Sequence, residues 1–162
     1  MPLGKHVAPV IMVPMSVTIR KADITDAPEV AELFIASQAD ALPFLSKLHT
    51  PAETRIFITE DVFDNCEVWV ALEEGRIVGM MALAGNHIDH LYLRPDCYRR
   101  GIGTKLLDVA KKERPDKLTL YAFAMNARAR AFYEHHGFIA IEFGDGSGNE
   151  AREPDVLYEW KP

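Results

Sequence analysis

The most chemically suggestive stretch of the sequence is Arg99-Arg100-Gly101-Ile102-Gly103-Thr104, which follows a strand pattern and opens a helix pattern. Two glycines let the backbone bend and let a ligand approach closely, because no Cβ stands in the way. The start of a helix leaves several amide N–H groups without partners and carries the positive end of the dipole, so phosphate fits there. Arg99 and Arg100 add charge beside it. The turn lacks the third glycine of a dinucleotide fingerprint and the Gly-Lys-Ser/Thr ending of a P-loop. Taken alone it is a general anion-binding turn, or a glycine-rich loop that only caps a helix.

The elements that must position this turn are legible as patterns. Ser16 to Arg20 alternates apolar and polar residues and predicts a first strand. Asp26-Ala27-Pro28-Glu29 predicts a helix start with Asp26 as its cap and Pro28 in the first turn. Thr50-Pro51-Ala52-Glu53 is a capping-box pattern that starts a second helix. Strands follow at Glu67–Leu72, Arg76–Leu83 and His87–Leu93, the first two joined by the Glu74-Gly75 turn signal. Gly101 to Lys112 is helical by its apolar face, Leu118 to Met125 a strand, and Asn126 to His136 a helix ended by Gly137. Phe138–Phe143 and Val156–Trp160 are the last strands, separated by the turn-rich Gly144–Asn149. The order predicts an α+β fold: a mixed, mainly antiparallel central sheet of about seven strands flanked by helices, with one parallel crossover. Without an internal repeat or linker, residues 16–162 read as a single domain preceded by a flexible extension, 1–15.

Leu91-Tyr92-Leu93-Arg94-Pro95 followed by Arg99-Arg100-Gly101-Ile102-Gly103-Thr104-Lys105-Leu106-Leu107 resembles the acetyl-CoA-binding motif of the GNAT (Gcn5-related N-acetyltransferase) superfamily. Asn126-Ala127-Arg128-Ala129-Arg130-Ala131-Phe132-Tyr133 with Gly137-Phe138 is similar to the second motif of that family, in order and properly spaced. The resemblance covers the element order over most of the chain and implies the GNAT-like acyl-CoA N-acyltransferase fold. It implies that the amides of Arg99, Arg100, Gly101, Ile102, Gly103 and Thr104 hold the CoA pyrophosphate. It further implies that the strand Leu91-Tyr92-Leu93 pairs its backbone with the pantetheine arm, that Asn126 contacts the cofactor, and that Tyr133 sits near the sulfur and protonates the leaving thiolate. A neutral amine must attack the thioester carbonyl, so one group accepts a proton and another supplies one to sulfur. Tyr98 departs from the pattern, standing three residues before Gly101 where many family members carry Gln or Arg.

Histone-acetylating members of the family use a Glu on the strand before the turn. Counting back from the glycines puts His87 at that position, with Asp89 second and no dedicated base third. In a regular strand His87, Asp89, Leu91 and Leu93 share one face and Ile88, His90 and Tyr92 the other; a β-bulge changes that parity. Phe132-Tyr133 also fits plain core aromatics on a helix. His135-His136 is no metal pair, since adjacent helical residues point apart and no third ligand is evident, so no metal is expected. The acidic segment from Asn149 to Asp155 lines an acceptor site for a cationic amine or is a solvated loop. Phe34, Phe44, Leu45 and His49 lie where family members build the acceptor pocket, most of them as core packing.

The expected function is acetyl-CoA-dependent transfer of an acetyl group to a primary amine of a small molecule or a protein. The alternative is a non-catalytic acyl-CoA-binding or sensor domain of the same fold. Composition agrees. The 162 residues carry a net charge of −6, which argues against a nucleic-acid-binding protein. That total conceals an asymmetry: residues 94–130 hold ten Lys+Arg against four Asp+Glu, and the remainder eight against twenty. A basic stretch around the turn suits an anionic CoA, and the acidic remainder tolerates a cationic acceptor. No apolar run approaches the roughly 18–20 residues of a membrane span. Two prolines break the apolar start, so a signal peptide is not expected, and Met12 and Met15 are candidates for an alternative start. Cys66 and Cys97 lack metal-ligand spacing and read as reduced thiols of a cytoplasmic protein. Homodimers are frequent among proteins that resemble this one.

Overall fold

The alternating apolar residues at the start form β1 (Val17–Lys21), the first element in a computed structural model that describes residues 16–162. The extension read at 1–15, with its alternative starts, lies outside the described residues. The first helix, α1 (Ala27–Ala41), is entered differently from the expectation. Asp26 stands at its N-cap position but its side chain makes no cap bond to α1; Asp23 instead caps the 3-10 turn Ile24–Asp26 that leads in, its carboxylate accepting from Thr25 N at 2.9 Å while Asp26 Oδ2 accepts from Asp23 N at 2.9 Å. Asp26 is committed elsewhere, gripping the Arg20 guanidinium through both oxygens at 2.8 and 3.0 Å. That hydrogen bond from Arg20 holds the Asp26 carboxyl below the usual carboxylate range. The pair ties β1 to the start of α1, which then buries Val30, Leu33, Phe34 and Ser37.

The second helix, α2 (Pro51–Phe57), starts as its pattern predicts. Thr50 Oγ1 accepts from Glu53 N and Glu53 Oε1 accepts from Thr50 N, both at 3.1 Å. A wider turn, Ile58–Val62, continues it into the short α3 (Phe63–Asn65), burying Ile58 and Val62 against the sheet. Thr50→Ala is expected to cost about 1 kcal/mol, the usual worth of such a cap. In urea unfolding it should lower the midpoint and leave the slope unchanged.

The strands β2 (Glu67–Glu73), β3 (Arg76–Ala84), β4 (His87–Leu93), β5 (Leu118–Phe123), β6 (Ile139–Gly144) and β7 (Asp155–Trp160) join β1 in a seven-stranded sheet ordered β1-β2-β3-β4-β5-β7-β6. Only the β4–β5 pairing is parallel. Helix α4 (Ile102–Glu113) makes the crossover and α5 (Ala127–His135) follows β5. This is the α+β architecture expected. β5 stops at Phe123 instead of Met125, because Asn126 N turns back to bond Phe123 O at 2.9 Å and begins α5. The sheet has a core on each face. Val78, Met81, Leu106, Leu107, Leu118 and Phe138 are among the residues packed under α4 and α5. Val30, Leu33, Phe34, Val70, Ile77 and Met80 are among those packed under α1 and α2. Among the described residues no helix is long and apolar enough to cross a membrane.

Two irregularities of the sheet fall on β4. Ala82 lies opposite His90 and Leu83 opposite Ile88, so Asp89 is an extra residue in β4, a β-bulge. The bulge overturns the regular alternation: Ile88, Leu91 and Leu93 pack with the core under α4, while His90 and Tyr92 turn to Phe34 of α1. Asp89 and His87 do not share a face with Leu91 and Leu93 in the way a regular strand requires. Second, β4 pairs with β5 only at His87↔Thr119 and Ile88↔Leu120. Beyond Ile88 the two strands part, and among the described residues that edge of β4 has no strand neighbour.

Candidate active site

The parting of β4 and β5 opens two cavities that share a floor. The larger, about 720 Å³, runs between the strands toward the β6–β7 loop, Asp145–Pro154. The smaller, about 310 Å³, lies between the end of α1, the Gly101–Thr104 turn and α5. Leu91, Tyr92, Asn126, Ala129 and Tyr133 belong to both walls. Their charges are opposite. Asp89, Glu142, Asp145 and Asp155 line the larger cavity with no Lys or Arg among its lining residues. Arg99 and Arg128 line the smaller with no carboxylate. The charge asymmetry along the sequence thus becomes a charge difference between two adjoining spaces.

The turn is built from left-handed backbone. Arg99 has φ 63° and Gly101 φ 79°, so the chain curls and presents successive amides at the start of α4. Gly103 answers a different need. A Cβ there would meet the Phe132 ring at 3.3 Å and Leu93 Cδ1 at 3.7 Å, so glycine lets α4 pack closely on α5 and β4. Arg99, Gly101, Ile102, Gly103 and Thr104 all line that cavity. Arg100, expected to add its charge beside the turn, points its side chain elsewhere. Its guanidinium is turned to Glu73 of β2, with Nη1 on Oε1 at 3.1 Å and Nη2 on Oε2. Thr104 Oγ1 lies 3.1 Å from His136 Nε2, which accounts for one of the two adjacent histidines; the rings of His135 and His136 stand nearly perpendicular.

Tyr133 is buried among Phe132, Phe138 and Tyr158 and also reaches both cavities, so it is core aromatic and cavity wall together. Among the described residues its hydroxyl has no hydrogen-bond partner. Burial, and secondarily the nearby Tyr92, pushes its pKa up, so the phenol keeps its proton across the physiological range. Tyr92 accepts a hydrogen bond from Gln38 Nε2 at 3.3 Å. Asn126 caps α5, its Oδ1 accepting from Ala129 N at 3.1 Å, and it lines both cavities.

The candidate bases are separated by the bulge. His87 lies outside both cavity walls; its Nδ1 is 2.8 Å from Thr119 Oγ1, its ring 5.4 Å from that of Tyr121, and its Nε2 3.8 Å from Asp89 Oδ1. Asp89 lines the larger cavity and accepts from Cys66 Sγ at 3.5 Å. Burial, then Asp89, pushes the Cys66 thiol up to about 11, so it stays protonated. His90, which sequence reasoning missed, lines the larger cavity, partly buried against Phe34, Phe57 and Tyr92. Among the described residues it has no hydrogen-bond partner. Burial lowers its pKa against the opposing pull of Asp89 and Asp61, keeping the imidazole neutral at physiological pH. Of the acidic segment, Asn149 and Asp155 line the larger cavity, while Glu150 bonds His49 Nε2 at 2.8 Å. Phe34 packs in the core under α1, and Phe44 packs edge-on against Phe123.

Residues 64–140 match the Acetyltransferase (GNAT) domain family. The chain is 31% identical over 128 residues to the peptidyl-lysine N-acetyltransferase YjaB of Escherichia coli K12, an alignment covering 76% of this chain and 83% of YjaB. The solution structure of apo YjaB from E. coli superposes with a TM-score of 0.76 at 26% identity, covering 90% of this chain and 98% of that one. The fold also matches the PaiA N-acetyltransferase of Thermoplasma acidophilum in complex with coenzyme A, with a TM-score of 0.69 at 22% identity over 91% of this chain and 100% of that one. With two motifs in order, the split sheet beside them and relatives of this likeness, the chain belongs to the GNAT superfamily and is an N-acetyltransferase.

Proposed function

We propose that the enzyme takes its acetyl group from acetyl-CoA, held in the smaller cavity, and gives it to a primary amine that arrives as a cation through the larger one. The carrying observation is the meeting of a carboxylate-lined and an arginine-lined cavity at Leu91, Tyr92, Asn126 and Tyr133. Supporting the donor are the CoA complex of the PaiA structure and the curled amides of the turn. Supporting the acceptor are the acidic wall and the name of the YjaB relative, and we take the ε-amine of a protein lysine as the acceptor of first choice.

In this reading the Arg99–Thr104 amides hold pyrophosphate and the free edge at Leu91–Leu93 receives the amide groups of the pantetheine arm as an added strand would. The acidic wall collects the ammonium form, and the amine loses its proton before attack. The nitrogen then bonds to the carbonyl carbon, the C–S bond breaks, one nitrogen proton leaves to a base, and the sulfur takes a hydrogen bond or proton from Tyr133. Holding amine and thioester together supplies much of the acceleration. The base is His90, with Asp89 beside it to stabilise the imidazolium; His87, outside the cavity and bonded to Thr119, helps to hold Asp89.

Two measurements test the reading. Acetyl-CoA binds the native state and not the unfolded chain, so at 100 times Kd it should stabilise the protein by about 2.7 kcal/mol and raise Tm. No shift at millimolar donor overturns the donor assignment. Thiol release should then be followed with lysine peptides, free amino acids, polyamines and aminoglycosides. Release with a small amine and none with peptides overturns the protein-lysine choice.

A further inference from the structure

Tyr98 sits where the family pattern carries Gln or Arg, and the structure gives its ring a definite contact. The Arg128 guanidinium carbon lies 4.1 Å from the centroid of the Tyr98 ring, a cation–π distance. Tyr98 directly precedes the curled turn that opens α4, and Arg128 is in the first turn of α5. The contact therefore spans the two helix starts on either side of the smaller cavity, which both residues line.

The pairing pattern of the arginines singles out this one. The chain has ten. Arg20, Arg55, Arg76 and Arg114 reach carboxylates, Arg94 a carbonyl, Arg130 the Tyr158 hydroxyl, and Arg100 is held by Glu73. Among the described residues the side chains of Arg99, Arg128 and Arg152 have neither a hydrogen bond nor an ion pair, and two of these three line the same cavity. Tyr98 contributes through its ring. Its Oη is buried with no hydrogen-bond partner among the described residues, beside Ser37 and Asp40 of α1. Its aromatic face holds the guanidinium over the cavity.

We propose that Arg128, positioned by the ring of Tyr98, is the side-chain cation that binds a phosphate group of the CoA nucleotide, in place of Arg100, whose charge Glu73 takes up. The assignment rests on the acetyl-CoA reading of the smaller cavity. A guanidinium stacked on a ring keeps its edge N–H groups free for two parallel bonds to phosphate oxygens. The start of α5 adds its own positive end at the same place. Arg99 works with Arg128 from the other rim.

Calorimetric titration of the full chain with CoA, 3′-dephospho-CoA and pantetheine tests this without any acceptor. Arg128→Gln should weaken CoA binding roughly tenfold, the usual loss of a charge-assisted bond, and leave pantetheine binding as in the wild type. The loss should shrink as salt is raised. Tyr98→Leu should weaken CoA in the same direction and by less, while Tyr98→Phe, which keeps the ring and removes only the unsatisfied hydroxyl, should bind as the wild type does. If Arg128→Gln lowers affinity for CoA but not for dephospho-CoA, the group bound is the 3′-phosphate; if it lowers both, the pyrophosphate. Arg128 is exposed, so an unchanged Tm of the apo variant is expected. Wild-type affinity for CoA in Arg128→Gln overturns the proposal alone. Failure of the wild type to bind CoA overturns the donor assignment, and this proposal with it.

Discussion

Replacing Tyr133 by phenylalanine should lower kcat for acetyl transfer on the order of 10²- to 10³-fold, within the range for loss of a positioned proton donor. Acetyl-CoA should still raise Tm as in the wild type. The substitution is close to silent for packing, because the ring keeps its edge contacts with Phe132 and Phe138 at 5.2 and 5.6 Å. Only the hydroxyl goes, and among the described residues it has no hydrogen bond to lose. Stability should hold, since Tyr133 reaches the cavities and its hydroxyl gives up no hydrogen bond among the described residues. The physical role is narrower than simple protonation. A free thiol ionises near 8.5 and a phenol near 10, and burial pushes Tyr133 further up. Outright transfer from phenol to thiolate is uphill, so the hydroxyl acts by a strengthening hydrogen bond as charge develops on sulfur. Steady-state kinetics at saturating acetyl-CoA read the effect, with the apo-protein Tm as control. Unchanged transfer to every acceptor would remove Tyr133 from the reaction and leave it a core aromatic.

Features that depend on neighbours along the chain are legible in the sequence. The Thr50 capping box, the helix that follows Gly101 and the Gly137 stop are local, and each pattern names its element. The one parallel pairing follows from strand–helix–strand order around α4. Features that depend on distant partners are not. Arg100 looks like a phosphate ligand until β2 brings Glu73 to it across 27 positions. Asp26 looks like a helix cap until Arg20 on β1 claims both its oxygens. The bulge cannot be assigned to Asp89 from His87–Leu93 alone, because its position is a property of the register with β3 and shows only once Ala82 is seen opposite His90. One signal was available: a strand whose alternate residues are His90 and Tyr92 on one count and His87 and Asp89 on the other gives no clear apolar face, as a bulge beside a site does.

That bulge sets the second large effect. His90→Gln should lower kcat/KM by about 10²-fold and change the order of the acid limb of the pH–rate profile. The sign comes from the direction of the pKa. Burial depresses the His90 pKa below its ordinary 6.5, partly opposed by Asp89 and Asp61, so the imidazole is a free base throughout the neutral range and gains a proton only in acid. A lysine acceptor, with its pKa near 10.4, already makes the rate rise tenfold per pH unit below that value, because only the neutral amine attacks. In the wild type a second proton must leave His90, so the slope steepens to about two below the His90 pKa. In His90→Gln it should stay near one down to the acid limit of the fold. His87→Gln should keep the steep limb, since that ring lies outside the cavity and bonds Thr119 at 2.8 Å. Asp89→Asn should move the His90 limb further into acid by removing the carboxylate that favours the imidazolium. The same bulge that leaves His87 off the wall of the larger cavity puts His90 on it, so these three variants respond as one geometric statement. A steep limb that survives in His90→Gln and vanishes in His87→Gln would return the base to the position that the regular count of the strand favours.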